Sequence, residues 1–202
     1  MINILKFNKI YEHDCLDFMV NVLKDYNNYF NLVFADPPLM YDDDYYYKIS
    51  ELKYLSWCED WFLESWRLLK EDCYYVFVSS HIFHNKFEDI IKQKTKNYFS
   101  VRYSDSRNEY YNMLFICKKN REIIDEEKIA YWYNVDFTLS EKELFRKENI
   151  NPTRLPAKLC ERIIKTFTNE NDVIYDIFAG SGIFCYSAEK LKRKFIGTEI
   201  NT

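Results

Sequence analysis

The chain has three glycines in 202 residues, and all of them, Gly180, Gly182 and Gly197, lie toward its carboxyl end. So sparse a supply makes their placement a strong constraint on the fold. They frame the segment DVIYDIFAGSGIFCYSAEKLKRKFIGTEI, from Asp172 to Ile200. It reads as a strand over Val173–Tyr175, a tight Gly-Ser-Gly turn, a helix over Ile183–Leu191 and a second strand closing on Glu199. Glycine accepts positive φ and carries no Cβ, so a ligand can approach the backbone of such a turn closely. A strand, glycine loop, helix and acid-tipped strand form the pattern of a nucleotide-type cofactor site.

Two positions bear on which cofactor. A dinucleotide fingerprint places a third glycine three residues after the second, and that position is Cys185. An acid, Asp176, also ends the first strand. A carboxylate there repels a pyrophosphate but suits a ligand with an ammonium group. S-Adenosylmethionine (SAM) carries an ammonium, and its ribose hydroxyls suit Glu199. Taken alone, the loop leaves SAM, NAD and a ligand-free glycine turn open, with SAM fitting best.

A second constellation lies far upstream. Asn31–Ala35 (NLVFA) reads as a short buried strand running directly into Asp36-Pro37-Pro38-Leu39. Two prolines stop a strand, because neither offers a backbone N–H and both fix φ. The Asp36 side chain and the Pro37 carbonyl are then left at the carboxyl edge of a sheet, where α/β ligand sites form. Two such acceptors suit methylation of an exocyclic amino group. The lone pair of adenine N6 or cytosine N4 is delocalised into the ring and is a poor nucleophile. Acceptors for both of its N–H groups draw the nitrogen toward tetrahedral geometry and free the lone pair to attack a sulfonium methyl. A lone Asp-Pro-Pro is ordinarily a strand-terminating turn. Joined to the glycine loop, it reads as chemistry.

With these motifs the chain resembles the DNA amino-methyltransferases in their β-type, permuted order, where an Asp-Pro-Pro-Tyr catalytic motif precedes a Phe-x-Gly-x-Gly cofactor motif. The resemblance covers nearly the whole chain. Tyr11–Met19 (YEHDCLDFM) is similar to the segment whose acid contacts the SAM adenine, a role this gives to Asp14, with Cys15 beside it. Asp36–Leu39 matches the catalytic motif in three of four positions, and Asp36 also borders the cofactor. Asn151–Ile164 (NPTRLPAKLCERII) resembles a His-Pro-Thr-Gln-Lys-Pro stretch and its following helix, which borders the methionine end of SAM and brings in Thr153. Asp176–Gly182, through Phe178, Ala179, Gly180 and Ser181, matches the cofactor loop. Phe195–Asn201 (FIGTEIN) matches the strand bearing the ribose-binding acid, Glu199, followed by Ile200 and Asn201.

The resemblance implies one α/β domain over residues 1–202 with a SAM-methyltransferase, Rossmann-like fold: a mostly parallel twisted sheet, helices on both faces and an antiparallel edge hairpin. It implies SAM as cofactor, and methyl transfer to a base flipped out of double-stranded DNA at a specific sequence, within restriction-modification. Asp at the head of the catalytic motif favours adenine N6.

Departures from the family pattern are specific. The fourth catalytic position is normally an aromatic on which the flipped base stacks, and here it is Leu39. Losing such a stack costs about 1–3 kcal/mol; Tyr41 or one of Tyr45 to Tyr47 is a substitute platform. The lysine before the second proline is replaced by Leu155 and the leading histidine by Asn151. These changes keep two alternatives open: a catalytically silent SAM-fold subunit partnering an active methyltransferase, or an amino-methyltransferase for RNA or a small molecule.

Composition narrows the rest. A hydrophobic content of 48% with 19% aromatics excludes a disordered chain. No apolar run approaches the ~18 residues of a membrane span, and no signal-peptide pattern opens the sequence. The six cysteines show no paired spacing, which predicts reduced thiols in a cytoplasmic protein. His81-x-x-His84 lacks a second ligand pair, so no metal is expected. A net charge of −4 is unusual for a DNA enzyme. Acids gather at Asp42 to Asp44, read as a solvated lid edge. Bases gather at Lys92, Lys94 and Lys96, at Arg102 and Arg107, at Lys118, Lys119 and Arg121, and at Lys190–Lys194, each read first as a solvated face. A homodimer or a partner subunit fits the family.

Helical periodicity over Glu51–Lys70 places Leu52, Leu55, Trp61, Phe62, Trp66 and Leu69 on one face. Tyr74–Ser79 reads as a strand and Phe83–Lys94 as a helix. Phe99–Tyr103 and Tyr110–Cys117 read as strands around a polar turn at Ser104–Glu109. Residues 118–150 form a short target-recognition segment.

Overall fold

A computed structural model describes residues 5–38, 49–80, 83–103, 112–120 and 155–201. Within them lie the strands β1 (Lys9–Glu12), β2 (Phe30–Ala35), β3 (Leu69–Ser80), β4 (Tyr98–Tyr103), β5 (Asn112–Lys118), β6 (Val173–Asp176) and β7 (Lys194–Glu199). They form one sheet in the order β1-β7-β6-β2-β3-β5-β4. β1, β7, β6, β2 and β3 run parallel, while β5 is antiparallel to both β3 and β4. The expected edge hairpin is therefore present as β4–β5, its turn at Ser104–Glu109 lying outside the described residues.

The helices are α1 (Cys15–Asp17), which passes into a π-helical turn (Phe18–Val22), then α2 (Glu51–Leu68), α3 (His84–Lys92), α4 (Ala157–Phe167) and α5 (Ile183–Lys190). They cover both faces, as anticipated. In β2 the alternation of strand side chains sends Val33 and Ala35 into a core shared with α2 and α3, and Leu32 and Phe34 into one shared with α4 and α5. A strand buried on both sides is apolar without alternation, which is why NLVFA reads as a continuous run. Phe34 also stacks on Phe184 of α5, with centroids 3.7 Å apart and rings 7° from parallel. That contact fixes the strand leading to Asp36 against the helix that follows the glycine loop.

Two readings of the α2 region need correction. Leu52 is 80% exposed, and the stripe that α2 buries is Tyr54, Cys58, Trp61, Phe62, Ser65, Trp66 and Leu68. Helix α2 ends at Leu68 and β3 starts at Leu69, ahead of the anticipated Tyr74. Lys119 lies at this junction. Its Nζ donates to the carbonyls of Leu69 (2.8 Å) and Trp66 (3.3 Å) and to Asn28 Oδ1 (2.7 Å). The Trp66 carbonyl also accepts from Leu69 N–H, so the cation adds a second donor there and ties the helix end to the start of β3. Lys118 and Lys119 are buried, so they leave the anticipated basic cluster and serve the fold. Helix α3 ends at Lys92, two residues short of its anticipated end.

Candidate active site

Four neighbouring parallel strands deliver acids to one edge of the sheet. In spatial order they are β1, β7, β6 and β2; Glu199 and Asp176 are the last residues of β7 and β6, and Asp14 and Asp36 follow just after β1 and β2. Residues far apart in sequence are thereby gathered, because parallel neighbours end on the same side. The register brings Glu12 opposite Glu199, Gly197 opposite Asp176, and Asp176 opposite Phe34. The carboxyl edge of an open α/β sheet is where ligands bind.

The glycine loop links β6 to α5. Gly180 and Gly182 adopt φ of +49° and +77°, conformations that disfavour any side chain. A Cβ at Gly180 would meet nothing within 4 Å, so the backbone there faces open space that a ligand can fill. At Gly182 a Cβ would come within 3.0 Å of Ile10. Gly197 is a packing glycine within β7: a Cβ would lie 2.9 Å from Cys185 Sγ and 3.1 Å from Ala179 Cβ. Glu199 fastens the loop by accepting from Gly180 N–H at 2.8 Å and from Asn201 N–H at 3.1 Å. Beneath it, Ala179 N–H donates to the Thr198 carbonyl at 2.8 Å. Ser181, Ile200 and Asn201 are exposed around this rim.

Asp176 is 1% exposed. Its Oδ2 accepts from the Cys185 thiol at 3.4 Å, and its Oδ1 has no hydrogen-bond partner among the described residues. Burial pushes the carboxyl up from 3.8 to about 7; the Cys185 hydrogen bond opposes this, and repulsion by Asp36 and Glu199 adds to it. A buried carboxylate with a bare oxygen, beside open space over Gly180, fits a ligand that brings its own positive charge. SAM meets that requirement through its ammonium, whereas NAD would lay its anionic pyrophosphate against the loop beside this carboxylate. The residues present therefore fit SAM.

Asp36 is half-buried directly after β2, followed by buried Pro37 and half-buried Pro38. The Tyr54 hydroxyl donates to the Pro38 carbonyl at 3.0 Å, so α2 holds the turn in place. Phe178, next to the glycine loop, packs on Trp57 and Trp61 of α2, with centroids 5.5 and 5.4 Å apart. The catalytic-type turn and the cofactor-type loop thus rest on one aromatic helix face. Sequence reasoning missed Tyr54 altogether. Its signal was its place in the helical stripe with Cys58 and Trp61, four and seven residues on.

Asp14 is exposed at the start of α1, where its Oδ1 caps the helix by accepting from Asp17 N–H at 2.9 Å. Cys15 behind it is buried, and burial pushes its thiol up to about 12. Leu155, at the family's lysine position, is buried in the core shared with α4 and α5. Leu39, Thr153, Asn151, Tyr41, Asp42 to Asp44, Tyr45 to Tyr47, His81, Arg107 and residues 121–150 lie outside the described residues. His84 stacks its ring on Phe115 at 4.7 Å. Members of two anticipated basic clusters are paired with acids: Lys92 with Glu88 (3.2 Å), Lys190 with Glu161 (2.7 Å) and Lys192 with Glu170 (3.5 Å). No helix among the described residues is long and apolar enough to cross a membrane.

An open, mostly parallel sheet with an antiparallel strand near one edge and a glycine loop at its carboxyl edge defines the Rossmann-like methyltransferase class. Solved structures agree. The PvuII DNA methyltransferase (cytosine-N4-specific) superposes with a TM-score of 0.71 at 18% identity, over 96% of this chain and 82% of that one. The M1.HpyAVI–SAM complex gives a TM-score of 0.66 at 19% identity, over 95% and 92%. In sequence, the type II methyltransferase M2.MboI of Moraxella bovis is 25% identical over an alignment of 230 residues, spanning 94% of this chain and 82% of that enzyme. The chain belongs to the N6/N4 DNA methylase family, whose sequence model matches residues 30–202. The cofactor that goes with this family is SAM.

Proposed function

We propose that this protein methylates the exocyclic amino group of adenine, at N6, in a specific sequence of double-stranded DNA. The observation that supports this most is the convergence of Asp36, Asp176, the Gly180–Gly182 loop and Glu199 at the ends of three adjacent strands. In this reading Asp176 pairs with the SAM ammonium, the glycine loop lies under its ribose and methionine portions, and Glu199 accepts from the ribose hydroxyls. Asp14, Cys15, Phe178, Ala179, Ser181, Ile200, Asn201 and Thr153 line the rest of the cofactor site. When bound, SAM supplies a methyl group on positively charged sulfur.

Asp36 and the Pro37 carbonyl each accept one N–H of the target amine, with Pro38 and Leu39 completing the motif. Holding both protons localises the nitrogen lone pair and aims it at the methyl. The proton shed by the methylated nitrogen leaves through the Asp36 carboxylate. Asp at the head of the motif is the feature that favours adenine over cytosine. Residues 1–202 act as one catalytic domain, with the short segment after β5 reading the DNA sequence.

Transfer of labelled methyl to DNA, followed by hydrolysis and base analysis, tests the proposal. N6-methyladenine is expected from wild type, and at least about 100-fold less from Asp36→Ala with SAM affinity kept, roughly 2.7 kcal/mol of transition-state stabilisation. N4-methylcytosine as the product would overturn the base assignment. SAM binding without any transfer would identify a silent subunit instead, a reading to which Leu39 gives some weight.

A further inference from the structure

Cys185 stands where a dinucleotide loop would carry its third glycine, and its side chain turns toward the buried acid that ends β6. The thiol, on the first turn of α5, donates to Asp176 Oδ2 at 3.4 Å. Gly197 makes the room for it, since a Cβ there would lie 2.9 Å from Cys185 Sγ. Gly197 is also the residue that faces Asp176 across β6 and β7. Three positions on three elements therefore fit one another around one carboxylate.

The surroundings of that carboxylate are one-sided. Asp36 approaches it from the end of β2 and Glu199 from the end of β7, both acidic, with Cys185 on the α5 side. The Phe178 N–H favours the charged form from nearby. Among the described residues no lysine, arginine or histidine bonds to either oxygen, and none makes a hydrogen bond of good geometry to Oδ1. Burial of the Cys185 thiol keeps it protonated, so it is a permanent donor.

We propose that Cys185 is a positioning residue for the cofactor: its thiol hydrogen bond fixes Oδ2 of Asp176 and so presents Oδ1 to the ammonium group of SAM. The proposal rests on the SAM reading above. A thiol is a weak donor, so it orients the carboxylate without neutralising its charge. Protonated Asp176 has no charge to offer an ammonium, so affinity falls on the acid side. The thiol bond favours only the ionised carboxylate, so removing it moves that fall to higher pH.

Calorimetric titration of the full chain on either side of neutral pH tests this, with wild type, Cys185→Ser, Cys185→Val and Cys185→Ala. The probes are SAM, its demethylated product, and 5′-methylthioadenosine, which lacks the amino-acid portion. The two variants without a donor should bind SAM and its product about three- to tenfold more weakly at neutral pH, with the acid-side loss displaced upward. Cys185→Ser should restore both the affinity and the pH profile, and methylthioadenosine should bind all four proteins alike. Wild-type affinity and pH profile in Cys185→Val and Cys185→Ala would overturn the proposal while leaving the SAM reading intact. Equal weakening of methylthioadenosine would reduce Cys185 to a packing role and overturn it too. Failure of wild type to bind SAM would overturn the cofactor reading first, and this proposal with it.

Discussion

The hydroxyl of Tyr54, buried in α2, donates to the carbonyl of Pro38 at 3.0 Å and so ties the turn after β2 to a helix on one face of the sheet. On the proposed mechanism, losing that bond lets the turn relax and misplaces Asp36 and the Pro37 carbonyl just before it. Tyr54→Phe is expected to lower kcat for methyl transfer about tenfold, because small misplacements of reacting groups are expensive in rate. It should lower stability by about 1 kcal/mol and leave SAM affinity unchanged. Steady-state kinetics beside calorimetry check this; an unchanged kcat would confine the bond to stability.

Glu199 holds the glycine loop through Gly180 N–H, and in the proposed reading it also accepts from the ribose hydroxyls of SAM. Glu199→Ala removes both functions and should weaken SAM by at least about tenfold, since a hydrogen bond to a charged group is worth about 1.5–3 kcal/mol. Glu199→Gln keeps a single acceptor oxygen and should fall between. Affinity for SAM unaffected by Glu199→Ala would sink the assigned role.

Asp176 opposes stability in the ligand-free protein. Its carboxyl lies near 7 when folded against 3.8 otherwise, so the folded state binds more protons between those values and its stability declines as pH rises through them. The effect amounts to roughly 4 kcal/mol at full ionisation. Asp176→Asn should therefore raise the ligand-free Tm above neutral pH and flatten its pH dependence, while abolishing most SAM affinity. Thermal melts across the pH range, with and without SAM, measure both arms. A lower Tm in the variant at alkaline pH would refute the sign.

Gly197 is a site of steric coupling. Gly197→Ala should destabilise by about 1–3 kcal/mol, as overpacking does, because the new methyl meets Cys185 Sγ at 2.9 Å and Ala179 Cβ at 3.1 Å. Cys185→Ala in the same chain should recover part of that loss, a non-additivity that a double-mutant cycle reads directly. Simple additivity would show that Ala179 and Ile10 alone set the strain.

What could be read in advance followed from how directly a residue type encodes a local requirement. Gly180 and Gly182 announce positive φ, and the structure places both there. The two prolines after β2 announce the end of a strand. Gly197 looks the same in sequence, yet its constraint is the bulk of Cys185 and Ala179, which only the folded chain brings near. Lys118 and Lys119 look like surface charge, whereas the sheet buries them. Leu52 satisfies a helical period and is still exposed, because the stripe that meets the sheet is centred on Tyr54, Cys58 and Trp61. Such outcomes depend on where distant parts of the chain arrive, and no local pattern carries that information.

The strand that leads to Asp36 has one neighbour that follows it soon in the chain and another that arrives very late. On its β6 side it is pinned at Asn31, whose side-chain oxygen accepts from Val173 N–H across 142 positions. A chain leaving the ribosome therefore carries FNLVFA with one flank bare until residues 173–176 have been made. An apolar strand with open hydrogen-bonding groups is the form in which nascent chains stick to one another. Until β6 arrives, the strand that carries Asp36 keeps one row of hydrogen-bonding groups open.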